Sequence, residues 1–346
     1  MGDGAPTEFD LVGSEVLRAS DGPLTSHYDL AMLDLDGVVY IGPDVVPGAA
    51  DRIAEAVEAG MHVAFVTNNA ARPPGRVAEH LRELGVDAST DDVVTSAQAA
   101  ATVLAEDLAE DAAVFVIGGE GLFTALREAG LRPVQSLEDE PVAVVSGYHP
   151  DLRWRTVIDG AILVRKGLPW VASNTDLTVP TPAGPGPGNG VLVRAVQEFA
   201  QVTPRVAGKP EPPLVKETIR RVGGERPLMV GDRLDTDIEG AVRAGCHSLL
   251  VMTGVTGIEE LVAAGGDQRP TYVSADLGGL HTAHPAPEQD GDHWVCGGWK
   301  ACVDAGELQV EGSGGADDWW RVVAAAAWAH ADAEGAAPDV DRLTAP

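Results

Sequence analysis

Residues 28–37 read YDLAMLDLDG, an apolar run over Tyr28–Leu35 that ends in Asp34-Leu35-Asp36-Gly37. A short apolar run followed at once by polar residues and glycine is typical of a buried strand in a parallel sheet. Ligands of open α/β sheets bind outside the carboxyl ends of the strands. The stretch therefore predicts a strand with a binding edge at Asp34 and Asp36.

The same arrangement recurs further along the chain. The apolar run His62–Val66 ends in Thr67-Asn68-Asn69, and Leu228–Val230 ends in Gly231-Asp232, with Asp237 five residues later. Lys209, within Gly208-Lys209-Pro210, precedes a predicted helix over 213–222. Each segment alone is more often a turn or a helix cap. Their order, after successive apolar strands, favours a functional site.

The order of strands and helices predicts an α/β protein in which one parallel-sheet domain is interrupted by another. A Pro/Gly-rich stretch, 180–190, is predicted to be a loop, and a short helix is predicted near 11–18. The end of the chain predicts a hairpin, turned at 304–306, and an amphipathic helix over 317–333. The predicted divisions are an N-terminal arm (1–27), a core in two parts (28–109 and 203–280), an insert between those parts (110–202) and a C-terminal extension (281–346).

The formal net charge is −29, from 53 acidic and 24 basic residues among 346. A surface this acidic repels nucleic acid and anionic membranes, so neither is expected as a partner. It also repels anionic substrates at long range, so a phosphate site here needs local positive charge. The acidity is explained equally by adaptation to salt and by a GC-rich genome.

The three cysteines, Cys246, Cys296 and Cys302, do not make a disulfide framework, which favours a reducing cytoplasm. The polar residues 1–8 do not resemble a secretory signal, and no apolar run is long enough to cross a bilayer. Only His293 lies near Cys296 and Cys302, which favours ordinary thiols over a metal site.

Residues of these types suit phosphoryl transfer, which needs a nucleophile, an acid/base, charge neutralisation and a metal. Asp34 can attack phosphorus, and strand periodicity predicts that Asp36 points the same way, to protonate the leaving oxygen and later activate water. Carboxylates beside a phosphate dianion require a hard cation such as Mg²⁺, to which Asp232 adds a ligand. Asp237 can orient the metal waters or Lys209 from outside the ligand shell. Thr67, Asn68, Asn69 and Lys209 can hold phosphoryl oxygens.

These motifs resemble those of the haloacid dehalogenase superfamily, over about 28–280. The four matching segments are Asp34–Tyr40, Thr67–Asn69, Gly208–Pro210 and Gly231–Ile238. The sequences of these segments are similar to those of the subclass with a type-2 cap, which includes NagD-type, p-nitrophenyl phosphate, phosphoglycolate and pyridoxal phosphatases. Supporting segments are Val94–Ala97, Ala172–Asp176 and Pro187–Gly190.

The resemblance implies a Rossmann-like core, and it makes the insert 110–202 a cap that excludes water and selects the substrate. It implies Asp34 as the nucleophile and Asp36 as the acid/base, with Thr67 and Lys209 stabilising the phosphoryl group. It implies that Mg²⁺ is held by Asp34, the backbone carbonyl of Asp36, and Asp232. Asn174 and Asp176 are the candidate substrate residues of the cap, although Thr175 stands where NagD-like caps often have proline.

A more specific similarity is to the glycerol-3-phosphate phosphatases of high-GC bacteria, carried by Val94–Gln98, Arg205–Pro210 and the extra tail. It implies hydrolysis of glycerol 3-phosphate; phosphoglycolate, pyridoxal phosphate, nucleotides and p-nitrophenyl phosphate remain alternatives. A homodimer formed through the cap or the C-terminal extension is also expected.

Other classes fit less well. Receiver-type signalling domains lack the Asp34–Asp36 pair and an insert of this size, and dehalogenases do not need the second aspartate. A phosphomutase shares the pair, but the cap argues against it. The tryptophans of the tail, Trp319, Trp320 and Trp328, form either a partner interface or, by preference, packing within the chain.

Overall fold

The computed structural model describes residues 17–181 and 183–346 of the chain. The strands are β1 Leu30–Leu33, β2 Tyr40–Ile41, β3 Asp44–Val45, β4 His62–Thr67, β5 Val93–Thr95, β6 Ala113–Ile117, β7 Arg132–Val134, β8 Ala143–Ser146, β9 Trp170–Ala172, β10 Thr178–Thr181, β11 Gly184–Pro187, β12 Arg205–Val206, β13 Pro227–Gly231, β14 His247–Val251, β15 Tyr272–Ser274, β16 Glu288–Asp290, β17 His293–Cys296, β18 Trp299–Asp304 and β19 Glu307–Gly312.

The α-helices are α1 Leu24–His27, α2 Ala49–Glu58, α3 Pro74–Glu83, α4 Ser96–Ala105, α5 Glu120–Glu128, α6 Trp154–Arg165, α7 Asn189–Ala200, α8 Pro213–Val222, α9 Glu239–Ala244, α10 Ile258–Val262 and α11 Ala316–Glu334. One turn of π-helix, Leu234–Ile238, leads into α9. None of the helices in the described ranges is long and apolar enough to span a membrane.

The chain divides into two compact units, one formed by the part up to Val63 with Gly224–Pro346 and the other by Ala64–Gly223. The predicted cap boundaries at 110 and 202 lie inside the second unit. The exact limits of an inserted domain therefore stay a prediction.

A parallel sheet forms the centre of the first unit, with β13 between β1 and β14 and with β15 beyond β14. Its strands are buried along their whole length, apart from His247 at the start of β14. Strands covered on both faces are apolar throughout, which is why β1 and β13 could be predicted from the sequence. The segment around Gly42-Pro43 forms a short hairpin, in which β2 pairs antiparallel with β3.

The C-terminal extension packs within the first unit, on its sheet. The antiparallel sheet β16-β17-β18-β19 lies against α11, which also contacts β15 and α10. Trp319, Trp320 and Trp328 share one buried cluster with Leu250 and Val273 of the parallel sheet. Packing within the chain is therefore the explanation that the structure supports for these tryptophans.

The second unit contains the parallel pair β4–β5 and a five-stranded parallel sheet, β12-β9-β8-β6-β7. Helices α6 and α7 pack on this sheet through residues such as Val157 and Val196. A capping box of Thr95 and Gln98 begins α4 directly after β5. The predicted α/β organisation is confirmed here.

Two predictions about elements differ from the structure, and a third falls almost wholly on residues outside the described ranges. The 180–190 stretch is not a plain loop, because β10 and β11 pair antiparallel across it; proline is tolerated in a two-stranded ribbon, where few N–H groups are needed. The extension has two further strands, β16 and β17, which the polar sequence Glu288–Asp290 did not reveal. The helix predicted near 11–18 falls almost wholly on residues outside the described ranges.

Candidate active site

Two predicted carboxylates follow neighbouring parallel strands. Asp34 comes directly after β1, and its N–H donates to the carbonyl of Val230 at 2.8 Å, which continues the ladder one residue past the strand. Asp232 comes directly after β13. Because β1 and β13 are parallel neighbours, both side chains lie at the same edge of the sheet.

Asp237 joins these two residues to form a compact acidic group. One carboxylate oxygen from each of Asp34, Asp232 and Asp237 lies within 4.8 Å of the others. Asp34 is half-buried, whereas Asp232 and Asp237 are 0% and 1% exposed. Three carboxylates in a buried group repel one another unless a cation lies among them, and an all-oxygen set suits Mg²⁺, Ca²⁺ or Mn²⁺.

The backbone around Asp232 leaves no room for side chains. A methyl group added at Gly37 or Gly254 would overlap the Asp232 carboxylate. Val255 N–H donates to Asp232 Oδ2 at 2.7 Å, and the Thr256 hydroxyl donates to its backbone carbonyl at 2.6 Å. The carboxylate is thus fixed in a tight backbone cradle, which is the arrangement that a metal ligand requires.

Asp36 differs from the other acids of its motif. Its side chain is exposed, and β1 ends at Leu33, so the chain has left strand geometry before it reaches Asp36. Gly37 N–H donates to the Tyr40 carbonyl at 2.8 Å, which begins the turn into β2. Strand periodicity applies only within a strand and does not determine the direction of the Asp36 side chain, which stays a prediction.

The remaining candidate residues lie in the second unit, beginning with the loop after β4. Thr67 is the last residue of β4 and is buried, and its hydroxyl oxygen accepts the Asn69 N–H at 3.1 Å. Asn69 Oδ1 in turn accepts the Ala71 N–H at 2.8 Å. These two turns, made by side chains, hold the loop in one conformation.

Lys209 is a buried cation beside this loop, with 2% of its surface exposed. Its Nζ donates to the Val66 carbonyl at 3.3 Å, and its N–H donates to Asn68 Oδ1 at 2.8 Å. A lysine is almost never buried without a specific role or partner, so its position agrees with the predicted handling of an anion.

Both cap candidates also reach the loop. Asn174 Nδ2 donates to the Asn68 carbonyl at 2.6 Å, and Asn68 Nδ2 donates to the carboxylate of Asp176. Asn189, from Pro187–Gly190, donates to the Asn174 carbonyl at 2.7 Å. The predicted residues thus form two groups, the acidic group of the first unit and the Thr67–Lys209–Asp176 group of the second.

Two segments hold site residues without having been predicted to do so: residues 253–256, and Ser96, whose segment Val94–Ala97 was noted only for the family resemblance. Residues 253–256 hold Asp232, and the Thr253 hydroxyl donates to the Gly37 carbonyl at 2.6 Å. Ser96 Oγ donates to the Asn68 carbonyl at 2.5 Å. The first segment follows β14 and is rich in Thr and Gly, which is the signal that could have revealed it.

Two family models match the chain. A model described as haloacid dehalogenase-like hydrolase matches residues 31–132, and a HAD-hydrolase-like model matches residues 206–280. The first range contains Asp34, Asp36 and Thr67–Asn69. The second contains Lys209, Asp232 and Asp237.

Relatives of known activity match over more of the chain. A D-glycerol 3-phosphate phosphatase from Mycobacterium tuberculosis is 41% identical over 318 residues, which is 88% of this chain and 87% of that protein. An acid sugar phosphatase from Staphylococcus haemolyticus is 36% identical over 72% of this chain and 94% of its own length. A crystal structure of glycerol phosphate phosphatase from M. tuberculosis in complex with magnesium superposes with a TM-score of 0.82, at 41% identity, over 89% of this chain and 92% of that one.

Proposed function

Because the chain belongs to the haloacid dehalogenase-like hydrolases, we propose that it is a magnesium-dependent phosphatase that converts glycerol 3-phosphate to glycerol and phosphate. The observation that carries the choice of substrate is the extent of the mycobacterial match, which covers 88% of the chain. The match to the acid sugar phosphatase covers only 72%. The longer match supports the same substrate for both proteins.

In the first half of the proposed reaction, a carboxylate oxygen of Asp34 attacks phosphorus as the bond from phosphorus to the glycerol oxygen breaks. Asp36, as a carboxylic acid, gives its proton to the departing oxygen. In the second half, the Asp36 carboxylate takes a proton from water, which attacks phosphorus. The bond between Asp34 and phosphorus then breaks, and phosphate leaves while Asp36 is protonated again.

Asp34, the Asp36 carbonyl and Asp232 are the proposed metal ligands, and the buried acidic group with its tight backbone cradle fits a hard divalent cation. Asp237, in the same group, orients the metal's waters or adds a ligand. When bound, Mg²⁺ offsets the negative charge of the carboxylates and of the phosphoryl oxygens.

Thr67 and Lys209 are the proposed stabilisers of the phosphoryl group, with Asn68 and Asn69 supporting the same loop. A buried ammonium supplies the local positive charge that a protein of net charge −29 otherwise lacks. Asn174 and Asp176 remain the proposed substrate residues of the cap.

The test is phosphate release from a panel of esters with and without Mg²⁺. The panel holds glycerol 3-phosphate, phosphoglycolate, pyridoxal phosphate, nucleoside monophosphates and p-nitrophenyl phosphate, and EDTA controls for the metal. The highest kcat/KM is expected for glycerol 3-phosphate. A higher kcat/KM for another ester would reject the substrate but keep the phosphatase, and no release from any ester would reject both.

We also propose where the enzyme acts in the cell and how its chains assemble. We expect a cytoplasmic enzyme with no nucleic-acid or membrane partner, which forms a homodimer through its cap or its extension. Trp154 in the cap region is 68% exposed, whereas the three tryptophans of α11 are buried, which favours the cap. Sedimentation of wild type and Trp154→Ala measures this directly, because a cap dimer should dissociate more readily in the variant.

A further inference from the structure

The side-chain amide of Asn68 is engaged with two other segments of the second unit. Its Oδ1 accepts the Lys209 N–H at 2.8 Å, and its Nδ2 donates to the Lys209 carbonyl at 3.0 Å. Nδ2 also lies 3.2 Å from each carboxylate oxygen of Asp176. These partners fix the orientation of the amide, because a backbone N–H only donates and carbonyls and carboxylates only accept.

Asn68 therefore binds both backbone groups of a single residue, Lys209, as a neighbouring strand would. The side chain of Lys209 is held as well as its backbone, because Nζ donates to the Val66 carbonyl. Close approach is possible only because residue 208 is glycine. A Cβ there would lie 2.5 Å from Asn68 Oδ1 and 2.6 Å from the Ser173 carbonyl.

The backbone of Asn68 is fixed as firmly as its side chain. Its carbonyl accepts from Ser96 Oγ and from Asn174 Nδ2. Asn174 and Asp176 belong to one loop of the predicted cap, and Asp176 N–H donates to Asn174 Oδ1 at 3.2 Å. Through Asn68 this loop is linked directly to the backbone of Lys209.

We propose that Asn68 is a positioning residue whose amide couples the Asp176 loop to Lys209, so that the ammonium is held in its working position only while Asp176 is engaged. The inference rests on the proposed function, since it acts through the charge stabilisation assigned to Lys209. The role proposed for Asn68 differs from that of Thr67, its neighbour in the loop. The Asn68 side chain binds other groups of the protein and does not bind the phosphate.

The first test is a double-mutant cycle on the full-length, magnesium-loaded enzyme. Asn68→Ala is expected to lower kcat/KM by about 100-fold, mainly in kcat, because a small displacement of a catalytic group costs about that much. Lys209→Met is expected to cost more. In the Lys209→Met background, Asn68→Ala should change kcat by less than about two-fold. Losses that multiply would overturn the proposal.

The second test exchanges the partners. Asn68→Asp keeps the acceptor for the Lys209 N–H, but it removes the donor to the Lys209 carbonyl and sets a carboxylate against Asp176, so we expect a loss of about 100-fold, of which the exchange below can restore only the part due to Asp176. Adding Asp176→Asn restores a pairing of amide with carboxylate, and kcat should recover by about ten-fold or more. Failure to recover would overturn the coupling to the Asp176 loop.

A matched control separates positioning from general destabilisation. Ser146→Ala removes the hydrogen bond from Trp170 Nε1 to Ser146 Oγ, which is 3.0 Å long and buried in the same unit. This variant should lower Tm as Asn68→Ala does but leave kcat within about two-fold. An equal fall of kcat in both variants would show that Asn68 acts only through stability.

Binding of inorganic phosphate gives a readout that does not depend on turnover. With Mg²⁺ present, phosphate should raise the Tm of the wild type and raise that of Asn68→Ala much less. If the wild type hydrolyses no ester, the proposed function fails, yet this difference still supports the inference. Equal rises, or no rise in the wild type, would overturn the inference, whereas the proposed function is decided by phosphate release alone.

Discussion

At the scale of single residues, the proposed metal site depends on how closely the backbone approaches the Asp232 carboxylate. Asp34 and Asp232 could be placed from the sequence because each directly follows an apolar strand, whereas Asp36, Asp237 and Lys209 lie beyond the strand ends and were predicted from their motifs. The cradle of Asp232 could not be predicted, because Gly37 and Gly254 are far apart in sequence and meet it only in the folded chain. Local sequence patterns indicate the candidate reacting groups, whereas the backbone segments that hold those groups in place are brought there by tertiary contacts.

Asp34→Asn should lower kcat by about a thousand-fold or more, because an amide is a poor nucleophile for phosphorus. Circular dichroism should show an intact fold. Asp44→Asn, on the exposed end of β3, is the control that removes one negative charge away from the acidic group. Near-normal turnover of Asp34→Asn would rule out the nucleophile.

Gly254→Ala should weaken magnesium activation about ten-fold or more, since the added methyl group must displace the Asp232 carboxylate. The Mg²⁺ concentration that gives half-maximal activity is the measurement. Gly265→Ala is the matched control, because a methyl group there meets nothing within 4 Å. Equal Mg²⁺ requirements in the two variants would contradict the metal assignment.

At the scale of elements, buried parallel strands were predictable and polar or proline-containing ones were not. β1 and β13 are continuous apolar runs, so the sequence marks them clearly. β16 is Glu288–Asp290, fully exposed on the edge of its sheet, and β11 is built from alternating glycine and proline. Such strands are set by their pairing partners, which a local pattern does not contain.

The helix α11 is anchored on the sheet by Trp328, which is 1% exposed and donates through Nε1 to the Leu261 carbonyl at 2.8 Å. Trp328→Ala should lower the free energy of unfolding by about 3–5 kcal/mol, because it leaves a cavity and removes a buried hydrogen bond. Urea unfolding measures this. Val57→Ala, at an exposed position of α2, should change it by less than about 1 kcal/mol.

A buried histidine connects α11 to the segment before the extension. His284 Nε2–H donates to the Gly279 carbonyl at 2.7 Å, and Arg321 donates to Nδ1 at 3.0 Å. Burial lowers the pKa of His284 to about 4; the hydrogen bond to Gly279 opposes this in part, the charge of Arg321 lowers the pKa further, and Asp317 and Asp318 raise it slightly. A proton on Nδ1 would face the guanidinium directly.

The unfolded chain binds this proton below about pH 6.5, while the folded chain resists it until about pH 4. The contribution of His284 to stability is therefore complete above pH 6.5 and falls as the pH drops towards 4. Between pH 7.5 and 5.5 the wild type should lose about 1 kcal/mol more than His284→Gln. Equal losses in urea titrations at the two pH values would contradict this.

At the scale of the whole molecule, the dominant property is the net charge of −29. Self-repulsion of this size destabilises a compact chain, and salt screens it. Tm should therefore rise with KCl and level off by about 1 M, where the screening length is about 3 Å. A flat response would show that the acidity reflects genomic composition and does not weaken the fold.

The buried contacts of α11 also limit how this protein can be shortened or recombined. Removing the extension would leave Leu250, Leu261 and Val273 facing water. Conversely, fusing the extension to a shorter phosphatase would leave its own tryptophans uncovered unless the recipient's surface were made apolar at the matching positions. The extension and the sheet it covers are therefore interdependent parts of one hydrophobic core, which a shortened or recombined variant must preserve as a whole.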